Sequence, residues 1–124
     1  MMKIFNLIIF LFVTCLSTIS AQVNWKSLYN QNGINISYGQ MVCSYRYELF
    51  GLRVENTQNT AKNIHFKAKV RDGNGPVILV IEFNRTVNGQ SVITGDCSDS
   101  NGQTGLNRFC ATPIANAKVE IEIL

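Results

Sequence analysis

From Asn63 to Arg71 the chain alternates. Ile64, Phe66, Ala68 and Val70 fall on one side, His65, Lys67, Lys69 and Arg71 on the other. A period of two predicts a β-strand with one buried and one wet face. Asp72-Gly73-Asn74-Gly75 follows, rich in residues that tolerate positive φ. Pro76 then opens a second run, Val77 to Phe83, β-branched and too short for a helix. The two segments read as a hairpin. Glu48 to Glu55 is a further strand, with Phe50, Leu52 and Val54 on one side. Ile34 to Tyr38 is a short one between Asn32-Gly33 and Gly39; Trp25 to Asn30 is expected as a strand pairing with it, the alternative being a single helical turn capped by Asn24. Met41 to Tyr47 is mixed in polarity, extended or looped. Arg85 to Thr94 contains Asn88-Gly89, the strongest two-residue hairpin signal. Leu106 to Cys110 and the strictly alternating Ala117 to Leu124 close the chain. Seven or eight short strands with turn signals every ~8–12 residues predict an all-β antiparallel sandwich.

The first residues follow a different pattern. Lys3 is the only charge before Lys26, Ile4 to Val13 is apolar apart from Asn6, and Ser17-Thr18-Ile19-Ser20-Ala21 leads to a polar Gln22. A basic start, a short apolar stretch and a small-residue exit predict an export signal over residues 1–21. The apolar stretch is short for a membrane span, which needs ~20 residues. The expected mature domain is then residues 22–124, secreted or held in the periplasm or cell envelope, with no membrane span. Cys15 is expected to leave with the signal, because Phe12-Val13-Thr14 does not suit lipid attachment. With Lys3 removed, ten Lys and Arg face eight Asp and Glu. That balance is too even and too dispersed for a nucleic-acid surface.

One stretch has a wider resemblance. Leu49-Phe50-Gly51-Leu52-Arg53-Val54-Glu55-Asn56-Thr57, followed by Ala61 to Val70, resembles the strand, Val-x-Asn-Thr turn and re-entering strand of bacterial immunoglobulin-like domains of the FxLYD type. The Trp25 strand, Ile36-Ser37-Tyr38, Gly95-Asp96-Cys97 and the closing strand are similar to small secreted proteins of Bacteroidetes. The resemblance spans most of the mature chain through loose motifs. It implies an immunoglobulin-like sandwich and an extracytoplasmic address, and it implies no activity.

Cys43, Cys97 and Cys110 remain after processing, so one is unpaired or shared with another chain. Cys97 and Cys110 flank a polar, Gly-rich loop, and their pairing is the simplest, contributing ~3 kcal/mol through chain entropy. The alternative is Cys43–Cys97, whose separation resembles the two-sheet bridge of immunoglobulin domains. Three cysteines without a Cys-x-x-Cys, and a single histidine, predict no metal site. Asp96 to Gly102 carries only a fragment of a calcium loop, with Cys97 where an oxygen ligand belongs and no distal acid.

Catalytic chemistry is poorly supplied. His65, the one histidine, sits on the polar side of its strand with no nucleophile or orienting acid nearby in sequence. Glu120 and Glu122 share the exposed side of the last strand. No cofactor motif occurs, and no enzymatic activity is expected. Tyr45 and Tyr47 lie two apart and share a face if their segment is extended. They are candidate contact aromatics for a protein or glycan partner. The expectation is a non-enzymatic binding module. The alternative is a structural or accessory subunit that engages a neighbour by strand addition or an interchain disulfide.

Overall fold

The structure, a computed structural model, describes residues 23–43, 47–99, 102–110 and 112–124. Residues 1–21, with Cys15, and the ring of Tyr45 lie outside the described residues. The strands are β1 (Lys26–Gln31), β2 (Ile34–Cys43), β3 (Tyr47–Asn56), β4 (Lys62–Asp72), β5 (Val77–Val87), β6 (Ser91–Thr94), β7 (Asn107–Cys110) and β8 (Ala117–Ile123). They form two antiparallel sheets. One runs β1-β2-β3, with β6 and β7 sharing the far edge of β3; the other runs β5-β4-β8. Among the described residues no helix is long and apolar enough to cross a membrane.

Alternation builds the core between the sheets. Ile34, Ile36, Phe50, Leu52 and Val54 of the larger sheet pack against Ile64, Phe66, Ala68, Val70, Ile81 and Phe83 of the smaller one. Phe66 and Phe83 lie with ring centroids 5.5 Å apart, and Tyr38 stacks on Phe50 at 5.7 Å. Burying such side chains contributes about 1.5–3 kcal/mol each. The outward face of the smaller sheet carries a central row of basic side chains on β4 between carboxylates on β5 and β8. His65 Nε2 lies 2.9 Å from Glu82 Oε1, Lys69 Nζ 3.5 Å from Glu122, and Arg71 Nε 3.9 Å from Glu120. The hydrogen bond with His65 holds the Glu82 carboxyl below its usual value, with the Lys67 charge helping. A depressed carboxylate stabilises the fold above its unfolded pKa, and that stability is lost as pH falls through the folded pKa. Acid titration of unfolding should therefore show a small stability loss at the acid end of the carboxylate range in the wild type. Glu82→Gln should lack that component; an identical acid limb in both proteins would refute the linkage.

Two segments depart from the sequence expectation. β2 does not close at Gly39 but continues to Cys43, in an unbroken ladder with β3 from Ile34↔Asn56 to Cys43↔Tyr47. The glycine serves a close approach instead: a Cβ there would meet Val23 Cγ1 at 2.6 Å and the Trp25 ring at 3.2 Å. The second departure is Asn88-Gly89, which makes no hairpin. β5 ends in the smaller sheet, and β6 pairs with β3 in the larger one. The positive φ falls on Gln90 (55°), while Gly89 gives room to the Asn59 carbonyl, which a Cβ would approach to 2.5 Å. This turn is anchored to its neighbours rather than to a ladder. Gln90 N donates to Gln58 O (2.8 Å) and Gln90 Nε2 to Thr57 O (2.6 Å).

Fully buried Asn56 holds that end of the sandwich together. Its Nδ2 donates to Thr60 O (3.0 Å) and Val87 O (3.1 Å), and its Oδ1 accepts from Gln58 N (3.0 Å). Thr57 N donates to Gly33 O (2.8 Å), tying in the β1–β2 turn. The Val54-Glu55-Asn56-Thr57 motif is thus a joint among three turns.

Candidate functional site

The opposite end of the sandwich is built differently. After β6 the chain crosses β3 where neither strand has a side chain. A Cβ on Gly51 would stand 2.0 Å from Gly95 O, and one on Gly95 2.6 Å from Leu106 O. Leu52 serves both arms of the crossing. Its O accepts from Gly95 N (2.9 Å) and its N donates to Leu106 O (2.8 Å). β6 therefore occupies the edge of β3 from Arg53 to Asn56, and β7 takes over from Glu48 to Gly51.

The crossing decides the disulfide. Cys97 is delivered toward β2 and bonds Cys43, with Cα atoms 5.5 Å apart; Cys110 is free. The pairing Cys97–Cys110, favoured as the simplest loop closure, is not formed. It presumes that β6 and β7 are partners flanking one loop, whereas each pairs with β3. Alternation also sets the cysteines apart. Cys43 falls on the outer side of its sheet, opposite to Ile34, Ile36 and Tyr38, whereas Cys110 packs against the core. The bridged cysteines lie in or just after strands of the larger sheet, so the bond does not span the two sheets. Burial, with the nearby Glu48 charge, pushes the Cys110 thiol above its usual pKa, which keeps it protonated and slow to exchange.

Beside this bond lies an open groove of about 560 Å³, lined by Val23, Gln40, Met41, Val42, Asp96 and Cys97 among others. It exists because β2 outruns β1. The β1 ladder begins at Lys26↔Tyr38, so Gly39 to Cys43 have no β1 partner. Gln40 clamps the floor: its Nε2 donates to Ile114 O (3.0 Å) and its Oε1 accepts from Ile114 N (2.9 Å). Val42, next on the same side of β2, is 62 % exposed. Asp96 supplies a carboxylate to the groove and accepts from Ser98 N (2.9 Å). The site offers an apolar wall, a strand edge and a disulfide-fixed rim.

Of the expected contact aromatics, Tyr47 is the first residue of β3, paired with Cys43, and Tyr45 lies in 44–46, outside the described residues. The segment that bears them joins β2 to β3 at this same end. The groove residues Met41 and Val42 fall in the stretch whose mixed polarity leaves extended and looped readings both open, and a strand end at Gly39 hides their place on β2. A second cleft of about 350 Å³ at the other end is lined by Tyr29, Ile34, Lys62, Ile64, His65 and Ile123 among others. The ring of His65 there is engaged by Glu82. The Asp99 carboxylate, part of the calcium-loop fragment, is turned onto its own loop. It accepts from Gln103 N (3.0 Å), Thr104 Oγ1 (2.6 Å) and Asn107 Nδ2 (3.3 Å). Among the described residues no cluster of His, Cys, Asp and Glu could hold a metal ion. No protein-family model, curated protein or solved structure matches the chain.

Proposed function

We propose that this chain is an exported, non-enzymatic β-sandwich module that binds a protein or glycan partner at the cell envelope through the disulfide end of the sandwich. The observation that carries the reading is the groove along the β2 overhang, where Val42 stands 62 % exposed beside a covalently fixed rim. Exposed apolar groups on a rigid frame are the usual material of a contact site. The disulfide is compatible with an extracytoplasmic location, where such bonds persist. Among the described residues the edge of β2 past Tyr38 has no ladder partner on the β1 side, which favours a protein segment over a glycan, since an extended peptide satisfies both backbone and groove.

The test is capture from envelope extract and on glycan arrays by the oxidised protein and its Val42→Glu variant. A bound partner should be retained by the wild type and weakened at least about tenfold by the variant. Equal retention by both proteins removes the groove from the interaction. Retention of nothing on either platform overturns the binding reading.

A further inference from the structure

The two edges of the smaller sheet are unequal. β8 forms one, and its outward Lys118, Glu120 and Glu122 guard it with charge. β5 forms the other. Over its second half a loop of the larger sheet approaches it, with Arg85 Nη2 donating to Gln103 O at 2.6 Å. Its first half carries no charge from Pro76 to Ile81. There Val77 is 36 %, Ile78 52 % and Val80 47 % exposed. Val80, opposite Lys69, faces outward by alternation, and a slip in the ladder adds to the patch: Val77 stands opposite Arg71 and Leu79 opposite Val70, leaving Ile78 as an extra residue. Leu79 keeps to the core side, and Val77, Ile78 and Val80 are left uncovered.

We propose that two copies of this chain dock through the first half of β5, antiparallel about a two-fold axis at Leu79, setting their smaller sheets edge to edge. This goes beyond the groove reading and does not depend on it. A second copy fits for two reasons. An isologous contact must be self-complementary, and about this axis Ile78 of each copy stands opposite Val80 of the other. The charge order is also self-complementary. Arg71 and Lys69 lie one strand in from Val77 and Val80, and Glu82 lies just past the apolar stretch. The antiparallel arrangement brings Glu82 of each copy toward the row that holds Arg71 of the other, whereas a parallel one sets Glu82 against Glu82. Pro76, which has no amide N–H, bounds the contact at each end. The contact is small, so the dimer is weak.

Sedimentation equilibrium of the oxidised chain, from low to high micromolar, tests this. Cys110→Ser serves as the background, to exclude an interchain disulfide. The background protein should pass from monomer to dimer across the range. Ile78→Lys and Val80→Lys should each raise the dissociation constant at least about tenfold. Val92→Lys, on β6 at a residue 41 % exposed, should leave it unchanged. Far-UV circular dichroism checks that each variant folds, and Val80→Lys decides if Ile78→Lys does not. A background protein that stays monomeric overturns the proposal. So do β5 variants that dimerise as well as it does, or loss of the dimer in Val92→Lys.

Discussion

Replacing Cys43 or Cys97 by serine should lower stability by about 4 kcal/mol and the thermal midpoint by roughly 20 °C, while Cys110→Ser stays within about 1 kcal/mol of wild type. The size follows from the span. The bond joins residues 54 apart in sequence, and tying a loop that long removes about 4 kcal/mol of chain entropy from the unfolded state. The native side adds to it, because the bond fixes Cys97 just past the crossing at Gly51 and Gly95, where backbones touch without side chains between them. Cys110 has no such role: it is a half-buried thiol at the margin of the core, and a hydroxyl of similar size fits there. Urea or thermal unfolding of the three oxidised variants decides the matter. A large loss in Cys110→Ser with little in Cys43→Ser would show the bond to be wrongly placed.

Asn56→Ala should cost about 3 kcal/mol or more. The amide makes three hydrogen bonds inside the fold, each contributing about 1 kcal/mol net. Its removal also takes the Asn56 donor from the buried Val87 carbonyl, and an unpaired buried acceptor costs about 1–3 kcal/mol. Asn56→Asp tests the same point from the other side. It keeps the acceptor for Gln58 N, loses both donated bonds and sets a carboxylate at a site with no exposure, so it should be at least as destabilising at neutral pH. Denaturant titration of both variants is the measurement. Losses under about 1 kcal/mol in both would show that the turns are held by their backbone bonds alone.

Most of the sandwich was legible because alternation is a local signal. The β4–β5 hairpin, the β3 strand and the closing strand are each set by residues two apart on one face. What was not legible depends on contacts between distant backbones. Gly39, Gly51, Gly89 and Gly95 look like ordinary turn or breaker residues in sequence, yet each makes room for a chain segment from elsewhere. For that reason the sequence alone suggests a hairpin at Asn88-Gly89, a short β2 and Cys97–Cys110 as the simpler pair. Signals at one position cannot say which sheet the next strand joins. The groove escaped for the same reason: it is the difference in length between β1 and β2, a property of a pair.

The last two strands have an effect on how the molecule is made. β7 and β8 find their ladders not with each other but with β3 and β4, far upstream. Pairings at such separations are slow to nucleate, because the loop must close before any contact rewards it. A chain emerging from its N-terminus therefore shows open edges of β3 and β4 to the solvent until β7 and β8 arrive, and it stays open to chaperones for that interval.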